Sequence, residues 1–177
     1  MLYPLPAVLV TVSDGNGNDN VLTVAWTGTI ASDPAMAYVS IRPERYSHGM
    51  ITKTREFVIN ITTRELAFAT DLCGVRSGRD IDKFEAAGLH REKAEHVAAP
   101  LIAESPVNIE CEVTDIRHCG THDMFIGNVL CVHADEKYMT ESGKFDLNSA
   151  DPLVYSHGQY YSLGEHIGGF GFSVRKK

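Results

Sequence analysis

The sequence predicts a mainly β protein, an antiparallel barrel with short peripheral helices. Two long alternating segments at 107–116 and 124–134, and several shorter β-branched ones, lie between turn signals, which is typical of such barrels. Helical patterns are short and fall chiefly within 62–87. Strands and helices do not alternate in a βαβ rhythm, which argues against a parallel doubly wound sheet.

The first predicted strands form a hairpin. Residues 6–12 and 21–25 are rich in apolar β-formers, as expected of largely buried strands. Between them lies a turn cluster at 13–19, in which Asp14-Gly15 is a hairpin signal. We therefore expect these two strands to pair antiparallel.

A loop, a strand, a helix and a further strand are predicted next. Residues 27–34 are rich in hydroxyls and end in an Asp-Pro turn signal, so we interpret them as a loop. Residues 36–41 form the third predicted strand, and 56–61 the fourth. Ser47 can cap a short helix over 48–54.

Two further short helices are expected before the long strands. A capping-box pattern at 62–65 begins the first, and Gly74 is placed to end it. Asp80 can cap the second, over 81–87. We interpret the charged residues at 90–99 as a solvent-exposed face of the protein.

The long segments at 107–116 and 124–134 are predicted to form a hairpin around the HCGTHD turn. Beyond them we expect, in order, a polar excursion at 136–151, short strands at 153–155 and 160–163, and a glycine-rich aromatic tail at 168–177.

The length, charge and cysteine content of the chain limit the classes of function that it can have. The chain has 177 residues, enough for a sizeable core, and we expect a single domain over 1–177. Its formal net charge of -7 argues against nucleic acid and against an anionic membrane surface as partners. No apolar run is long enough to span a bilayer. The four cysteines form no C-x-x-C pair, which favours reduced thiols and a cytoplasmic protein.

A metal site is not expected from the histidine spacing. His118 and His122 lie on either side of Cys119, and histidine and cysteine side chains are common metal ligands. They fall in a predicted turn, however, and no second Cys/His pair has ligand spacing. We therefore predict no metal ligands.

The stretch around the second and third strands suits a polar, planar ligand. The predicted loop 27–34 offers hydroxyls and backbone N–H groups to an anion such as phosphate. Trp26, the only tryptophan, presents a flat face beside it, and the guanidinium forks of Arg42 and Arg45 follow. A phosphate at a helix that starts near Ser47 would gain from the exposed N–H groups there.

Each of these residues also has a plain structural interpretation. Trp26 could be a core tryptophan at the end of a strand. Arg42 and Arg45 could pair with neighbouring glutamates on the surface. Ser47 could act only as a helix cap, and His122 could be an exposed turn histidine.

Several motifs occur in a fixed order from residue 6 into the tail, namely NVLTVAW, IASDP, VSIRPERYS, EFVIN, DLCGVRSGRD, DKF, APLIAESPVNIECEV and HDMFIGNV. Together they resemble the flavin reductase-like family, whose fold is the FMN-binding split barrel, and most closely its flavoredoxin-type branch. It implies a Greek-key-like split β-barrel that binds FMN without a covalent link. It also implies a homodimer, with the cofactor near the subunit interface.

The resemblance also implies cofactor contacts residue by residue. In the family, the matching positions contact the flavin ring, the ribityl chain or the phosphate, or approach the flavin, some of them from the partner subunit. The residues at these positions in this sequence are Asn20, Thr23, Trp26, Thr27, Gly28, Thr29, Ile30, Ala31, Ser32, Arg42, Ser47, Asn60, Lys83, His122 and Phe170. Within this set, residues 27–32 would form the loop that wraps the ring, and Ser47 would hold the phosphate with Arg42 beside it. Departures from the family pattern, at Gly28, Ala31, Ala35 and His118-Cys119, bear on ring stacking and affinity rather than on the fold.

The implied function is that of a flavin-dependent oxidoreductase or electron carrier. Electrons would pass from NAD(P)H or a reduced protein donor, through FMN, to a small-molecule or protein acceptor. No catalytic protein residue is needed, because the flavin carries the chemistry. The alternative hypothesis is a split-barrel protein that binds flavin or haem but catalyses no reaction. A third hypothesis is a barrel that binds no chromophore.

Overall fold

The computed structural model describes residues 2–175, and strands account for most of its regular structure. The ends of the predicted domain and tail, residues 1 and 176–177, lie outside the described residues. The strands are β1 (Leu5–Pro6), β2 (Val8–Ser13), β3 (Asp19–Val24), β4 (Thr27–Ser32), β5 (Ala35–Ile41), β6 (Glu56–Ile61), β7 (Arg91–Glu92), β8 (Leu101–Ile102), β9 (Val107–Cys119), β10 (His122–Ala134), β11 (Leu153–Ser156) and β12 (Gln159–Ser162).

Helices are short and peripheral. The α-helices are α1 (Tyr46–Thr54), α2 (Ala67–Val75) and α3 (Lys83–Ala87), and the 3-10 turns are Arg64–Leu66, Glu136–Tyr138, Leu147–Ala150 and Phe172–Val174. Within residues 2–175, no helix is both long and apolar enough to cross a membrane.

Seven strands form one antiparallel sheet in the order β3-β2-β6-β9-β10-β5-β4. The sheet curls until β3 lies against β5, but in the part of the chain that the structure describes no ladder joins these two strands. The barrel is therefore open at this seam, and the predicted mainly β split barrel is confirmed.

The barrel interior is apolar, and α1 closes one end of it. Val10, Val39, Phe57 and Phe125 from four strands meet Ile51 of α1, and all five side chains are fully buried. Burial of each such side chain stabilises the fold by about 1.5–3 kcal/mol. Because α1 carries the chain from β5 across to β6, its N-terminus is held at the open seam.

A second apolar cluster fixes α2 and α3 to the outside of the barrel. Leu9 of β2 and Val21 of β3 point outward and pack with Cys73 of α2, Phe84 of α3 and Ile102 of β8. The Thr23 hydroxyl also donates a hydrogen bond to the Thr70 carbonyl of α2. These contacts place α2 alongside β3, and the groove between them opens toward α1.

The predicted loop at 27–34 is wrong over most of its length. Residues Thr27–Ser32 form strand β4, which pairs antiparallel with β5 across the turn at Asp33-Pro34. Glycine is uncommon in strands, but β4 is the edge of the sheet and gains its hydrogen bonds from β5 alone. Both predicted hairpins, β2–β3 and β9–β10, are confirmed.

The helix ends also differ from the prediction. Asp82, not Asp80, caps α3, because its carboxylate accepts from the N–H groups of Phe84 and Glu85. No capping box forms at 62–65, where the Thr62 hydroxyl bonds the Ala7 carbonyl instead. Helix α2 continues through Gly74 to Val75.

Candidate functional site

A continuous cleft follows the open seam of the barrel. Two adjoining cavities, of about 370 and 420 Å³, make up its length. They meet at Leu22 and Thr23 of β3, Arg42 and Arg45 after β5, and Gly74 of α2. The cleft is thus formed where the chain leaves β5, enters α1 and runs back along α2.

One end of the cleft is cationic. Its lining includes five cationic side chains against one acidic residue, Glu44; the cations are Arg42, Arg45, Arg76, Arg79 and Lys83. The chain as a whole has a net charge of -7, so the excess of cations here is local. Such a lining favours an anionic ligand.

Hydrogen bonds hold the arginines in place. The Arg45 guanidinium donates to the Gly74 carbonyl at 3.3 Å. The Arg79 guanidinium donates to the Glu44 carbonyl at 3.3 Å and lies 5.2 Å from the centre of the Tyr46 ring, within the range of a cation–π contact. The cationic side chains therefore lie close to their binding positions before a ligand arrives.

The start of α1 completes this end. Ser47 lies in the first turn of α1 rather than at its cap, which is Arg45, so the predicted capping role is wrong. Its buried hydroxyl accepts from the Asn20 amide of β3 at 2.6 Å. First-turn N–H groups lack partners within a helix, and α1 has no acidic residue in its first turn, so this terminus can accept an anion.

The loop at 77–79 passes close to this pair. A Cβ atom on Gly78 would lie 2.2 Å from the Asn20 side-chain oxygen and 3.0 Å from the Tyr46 ring. Only glycine allows so close an approach without displacement. The glycine thereby brings Ser77 and Arg79 to the lining of the cavity.

Lys83 is the deepest cation in the cleft. Its side chain is 5% exposed, and its Nζ donates to the Cys73 carbonyl at 2.7 Å. Burial lowers the pKa of Lys83 from 10.5 to about 8, and burial likewise raises the pKa of the Cys73 thiol to about 11. A bound anion would offset the cost of burying the ammonium group.

The other end of the cleft is aromatic and open. Trp26 is 43% exposed, and its indole lies nearly parallel to the His122 imidazole, with centroids 6.0 Å apart and planes 15° apart. Tyr155 and Tyr160 face them from the β11–β12 hairpin. Burial, followed by the neighbouring Asp71 carboxylate, raises the pKa of Tyr160 to about 12, so its hydroxyl stays protonated at neutral pH.

The structure brings about half of the predicted site residues together in this cleft. Those that line it are Asn20, Thr23, Trp26, Arg42, Ser47, Lys83 and His122. Their spread over the sequence, from β3 to β10, makes this juxtaposition a property of the fold rather than of any single segment.

Residues 27–32 do not line the cleft. As strand β4 they lie at the edge of the sheet, where the Thr27 hydroxyl donates to the Tyr38 carbonyl at 2.6 Å and Gly28 packs against the Tyr38 ring. The segment is therefore a strand and not a loop, while contact of residues 27–32 with a flavin stays a prediction. Only Trp26, directly before β4, reaches the cavity.

Asn60 and Phe170 also lie away from the cleft. The Asn60 side chain is fully buried, and its amide bonds the Leu9 carbonyl, the Ile102 N–H and the Asn108 amide. These bonds tie β6 to β2, β8 and β9, while contact of Asn60 with a cofactor stays a prediction. Phe170 is fully exposed in the C-terminal tail and does not line the cleft.

Several lining residues were not singled out by the sequence. The segment RSGRD, between α2 and α3, supplies Arg76, Ser77, Gly78 and Arg79. Its mixture of arginines, a serine and a glycine is itself a signal for anion binding. The residues from the β11–β12 hairpin and α2 that line the aromatic end, Asp71, Val75, Tyr155, Gly158 and Tyr160, carry no comparable signal.

Known proteins share both the sequence pattern and the fold. Residues 1–164 match the family described as "Flavin reductase like domain". An uncharacterised protein of Pyrococcus abyssi is 34% identical over 148 residues, 83% of each chain.

Two solved structures are also similar. Flavoredoxin of Desulfovibrio vulgaris (Miyazaki F) superposes with a TM-score of 0.91 at 32% identity, over 99% of this chain and 95% of that one. An FMN-binding protein of Thermus thermophilus, solved with bound 1-cyclohex-2-enone, gives a TM-score of 0.82 at 25% identity, over 94% and 90% of the chains.

Proposed function

The chain belongs to the flavin reductase like family, and from this premise we propose that it is an FMN-dependent oxidoreductase. The observation that carries the proposal is the cleft, which joins a cationic end to an aromatic end. FMN has the same two parts, a phosphate and a planar ring. The similarity to a flavoredoxin and to an FMN-binding protein supports the same choice of cofactor.

The residues at the cationic end fit a phosphate. Arg45, Arg79 and Lys83 would neutralise its charge, while the first turn of α1 would donate backbone N–H groups. Ser47 would orient the anion through a hydroxyl that the Asn20 amide already fixes. The five cationic side chains of the lining outweigh its single acidic side chain, Glu44, so the net charge there favours a dianion.

At the aromatic end, the chain would bind and shield a flat ring. Trp26 and His122 form one wall, and Tyr155 and Tyr160 form the other. A bound flavin supplies the redox chemistry, so the side chains need only position the ring, tune it and control the access of water. The half-exposed indole of Trp26 leaves room for a second molecule beside the ring.

For the donor we propose NAD(P)H or a reduced protein, and for the acceptor a small molecule or a protein. The open aromatic end supports both, because a donor and an acceptor can approach the same ring face in turn. The free thiols of all four cysteines fit the reducing cytoplasm that we propose as the compartment.

We also propose that the active form is a homodimer. The C-terminal segment carries exposed apolar side chains, namely Leu163, Ile167, Phe170, Phe172 and Val174. Such a run is costly to leave in water. A second copy could cover it through a two-fold contact, and Phe170 would then approach the partner's cleft.

Absorption spectroscopy with matched ligands and variants tests the proposal. The wild-type protein should bind FMN more tightly than riboflavin, and addition of NADH or NADPH, or of a reduced protein donor, should bleach the flavin bands until an acceptor is added. Arg45→Gln should weaken FMN about tenfold, the scale of a charge-assisted hydrogen bond, and leave riboflavin unchanged.

Arg117→Gln is the matched control, since Arg117 is exposed and pairs with Asp115 on β9. Equal losses for FMN and riboflavin in Arg45→Gln would place the phosphate elsewhere. Stable FMN binding with no bleaching by any donor would favour the binding protein without turnover, and a Soret band in the purified protein would favour haem.

A further inference from the structure

A cluster of possible metal ligands lies on the outer face of β9 and β10, and none of its members lines the cleft. Cys131 of β10 is directly opposite Glu110 of β9, and His133 follows two residues later on the same face of β10. The Glu110 carboxylate is fully buried, and the His133 Nε2 lies 2.6 Å from it. A buried carboxylate of this kind needs partners that offset its lost hydration.

The segment that covers this face brings two more candidate ligands. The Glu110 carboxylate accepts hydrogen bonds from the backbone N–H groups of Glu95 at 2.9 Å and His96 at 2.7 Å. An apolar cluster, made of Val58, Ala94, Ala99 and Leu101, holds the same segment against the sheet. The backbone that carries Glu95 and His96 is thereby held beside Cys131.

The ligand atoms converge on one sulfur. Those of Glu110, Cys131 and His133 lie within 4.8 Å of one another, and so do those of Glu95, His96 and Cys131. We propose that Cys131, His96, His133 and Glu95 bind a zinc-type divalent cation, with Glu110 orienting His133. A carboxylate that holds a ligating histidine is a frequent arrangement in metal sites.

A single ion would draw the two groups together around the sulfur that they share. Tetrahedral zinc, with bonds of about 2.0–2.3 Å, brings its ligand atoms to roughly 3.5 Å from one another. The side chains of His96 and Glu95 are 50% and 64% exposed, so they can rotate toward the sulfur. Glu110 already accepts three hydrogen bonds and stays in place.

The local charge also favours a cation. The carboxylates of Glu95 and Glu110 lie beside the Cys131 sulfur and supply negative charge that attracts a divalent ion. Binding would displace the thiol proton to solvent, and the thiolate would ligate the ion.

The cation would tie the segment that carries Glu95 and His96 to the barrel, a structural role that is separate from the cleft. The prediction that the chain has no metal ligands was based on the spacing of cysteines and histidines along the sequence. This cluster joins two strands and a covering segment, so that spacing could not reveal it.

Zinc binding to the purified full-length chain, kept reduced, tests the proposal. Metal content after dialysis against zinc, and competition with a chromophoric chelator, should give one zinc per chain. Cys131→Ser and His96→Ala should each weaken zinc at least tenfold, the range seen when a site loses one of its supporting groups. In the wild type, zinc at a hundredfold excess over its Kd should raise the Tm by about 5 °C.

Two substitutions act as controls. Cys119→Ser removes an exposed thiol in the β9–β10 turn, and His166→Ala removes an exposed tail histidine; neither should change zinc affinity. Less than stoichiometric zinc in the wild type would overturn the proposal. So would equal weakening in Cys131→Ser and Cys119→Ser, which would indicate adventitious binding to surface thiols.

Discussion

The two ends of the cleft differ in how firmly their side chains are held. At the cationic end, Asn20, Ser47 and Lys83 are all buried, and each has a hydrogen-bonded partner in the protein. At the aromatic end, Trp26 is 43% exposed and stacks only loosely on His122. Folding thus organises the buried floor of the cationic end, so a ligand orders little side-chain motion there, while the arginines around it, Arg42, Arg45, Arg76 and Arg79, are exposed.

The difference separates two tasks within one site. A preorganised anion site is suited to anchoring a cofactor permanently, because its geometry does not depend on the ligand. An open aromatic end is suited to exchange of donor and acceptor, because it can adapt to more than one planar molecule. We therefore expect substitutions at the cationic end to change affinity for FMN selectively, and substitutions at the aromatic end to affect any flavin.

The largest effect is expected at Gly78. In Gly78→Ala, the new Cβ would lie 2.2 Å from the Asn20 side-chain oxygen, so the loop must move and carry Arg79 away from the cleft. We expect FMN affinity to fall about a hundredfold, which is about 2.7 kcal/mol, with a much smaller change for riboflavin. Fluorescence titration with both ligands measures this.

Gly164→Ala is its control, since a Cβ at Gly164 would meet no atom within 4 Å. A thermal unfolding scan of both variants separates a local loop shift from loss of the fold. Unchanged FMN affinity in a folded Gly78→Ala protein would remove the loop at 77–79 from the anion site.

A smaller effect is expected from pH, through Lys83. Its pKa in the folded protein is about 8, below its ordinary 10.5, so the ammonium is charged below about pH 8 and neutral above it. A phosphate binds the charged form and raises its pKa, so FMN affinity should be constant below that pH and fall above it. Between about pH 7 and pH 9 we expect a loss of about tenfold.

Riboflavin, which lacks the phosphate, serves as the ligand control, and Lys83→Met should bind FMN weakly with little dependence on pH in this range. Phosphate itself is already a dianion above its second pKa of about 6. A pH profile for FMN that is the same in wild type and Lys83→Met would show that Lys83 does not face the phosphate.

The barrel was predictable from sequence because its strands obey local rules. Alternate residues of β9 and the turn signals around β2 and β3 reflect strand geometry directly. Strand β4 was missed because Thr27–Ser32 has the composition of a loop, and only pairing with β5 makes it extended. The cap of α3 was missed because Asp80 and Asp82 have the same local chemistry, and burial of Phe84 decides between them.

The site was only partly predictable because it depends on register and long-range packing. The resemblance to the family identified Asn20, Ser47 and Lys83, which no spacing along the chain connects. The cluster at Cys131 depends on a β-bulge between Val129 and Cys131, which places Cys131 opposite Glu110 instead of Ile109. No periodicity in the sequence records such a shift.

The smallest effect, and the one that tests the aromatic end, is expected from Trp26→Ala. Loss of the indole should weaken FMN and riboflavin equally, by about threefold to tenfold, since an aromatic pair contributes about 0.5–1.5 kcal/mol beyond its buried area. The fold should be retained, because the side chain is 43% exposed. The matched control is Tyr138→Ala, which removes a partly exposed aromatic side chain outside the cleft.

A loss confined to FMN would mean that Trp26 acts on the phosphate and that the two ends do not divide the ligand as proposed. No loss for either ligand would mean that the ring does not stack on Trp26, whereas equal losses would leave the cationic end as the only source of selectivity for FMN.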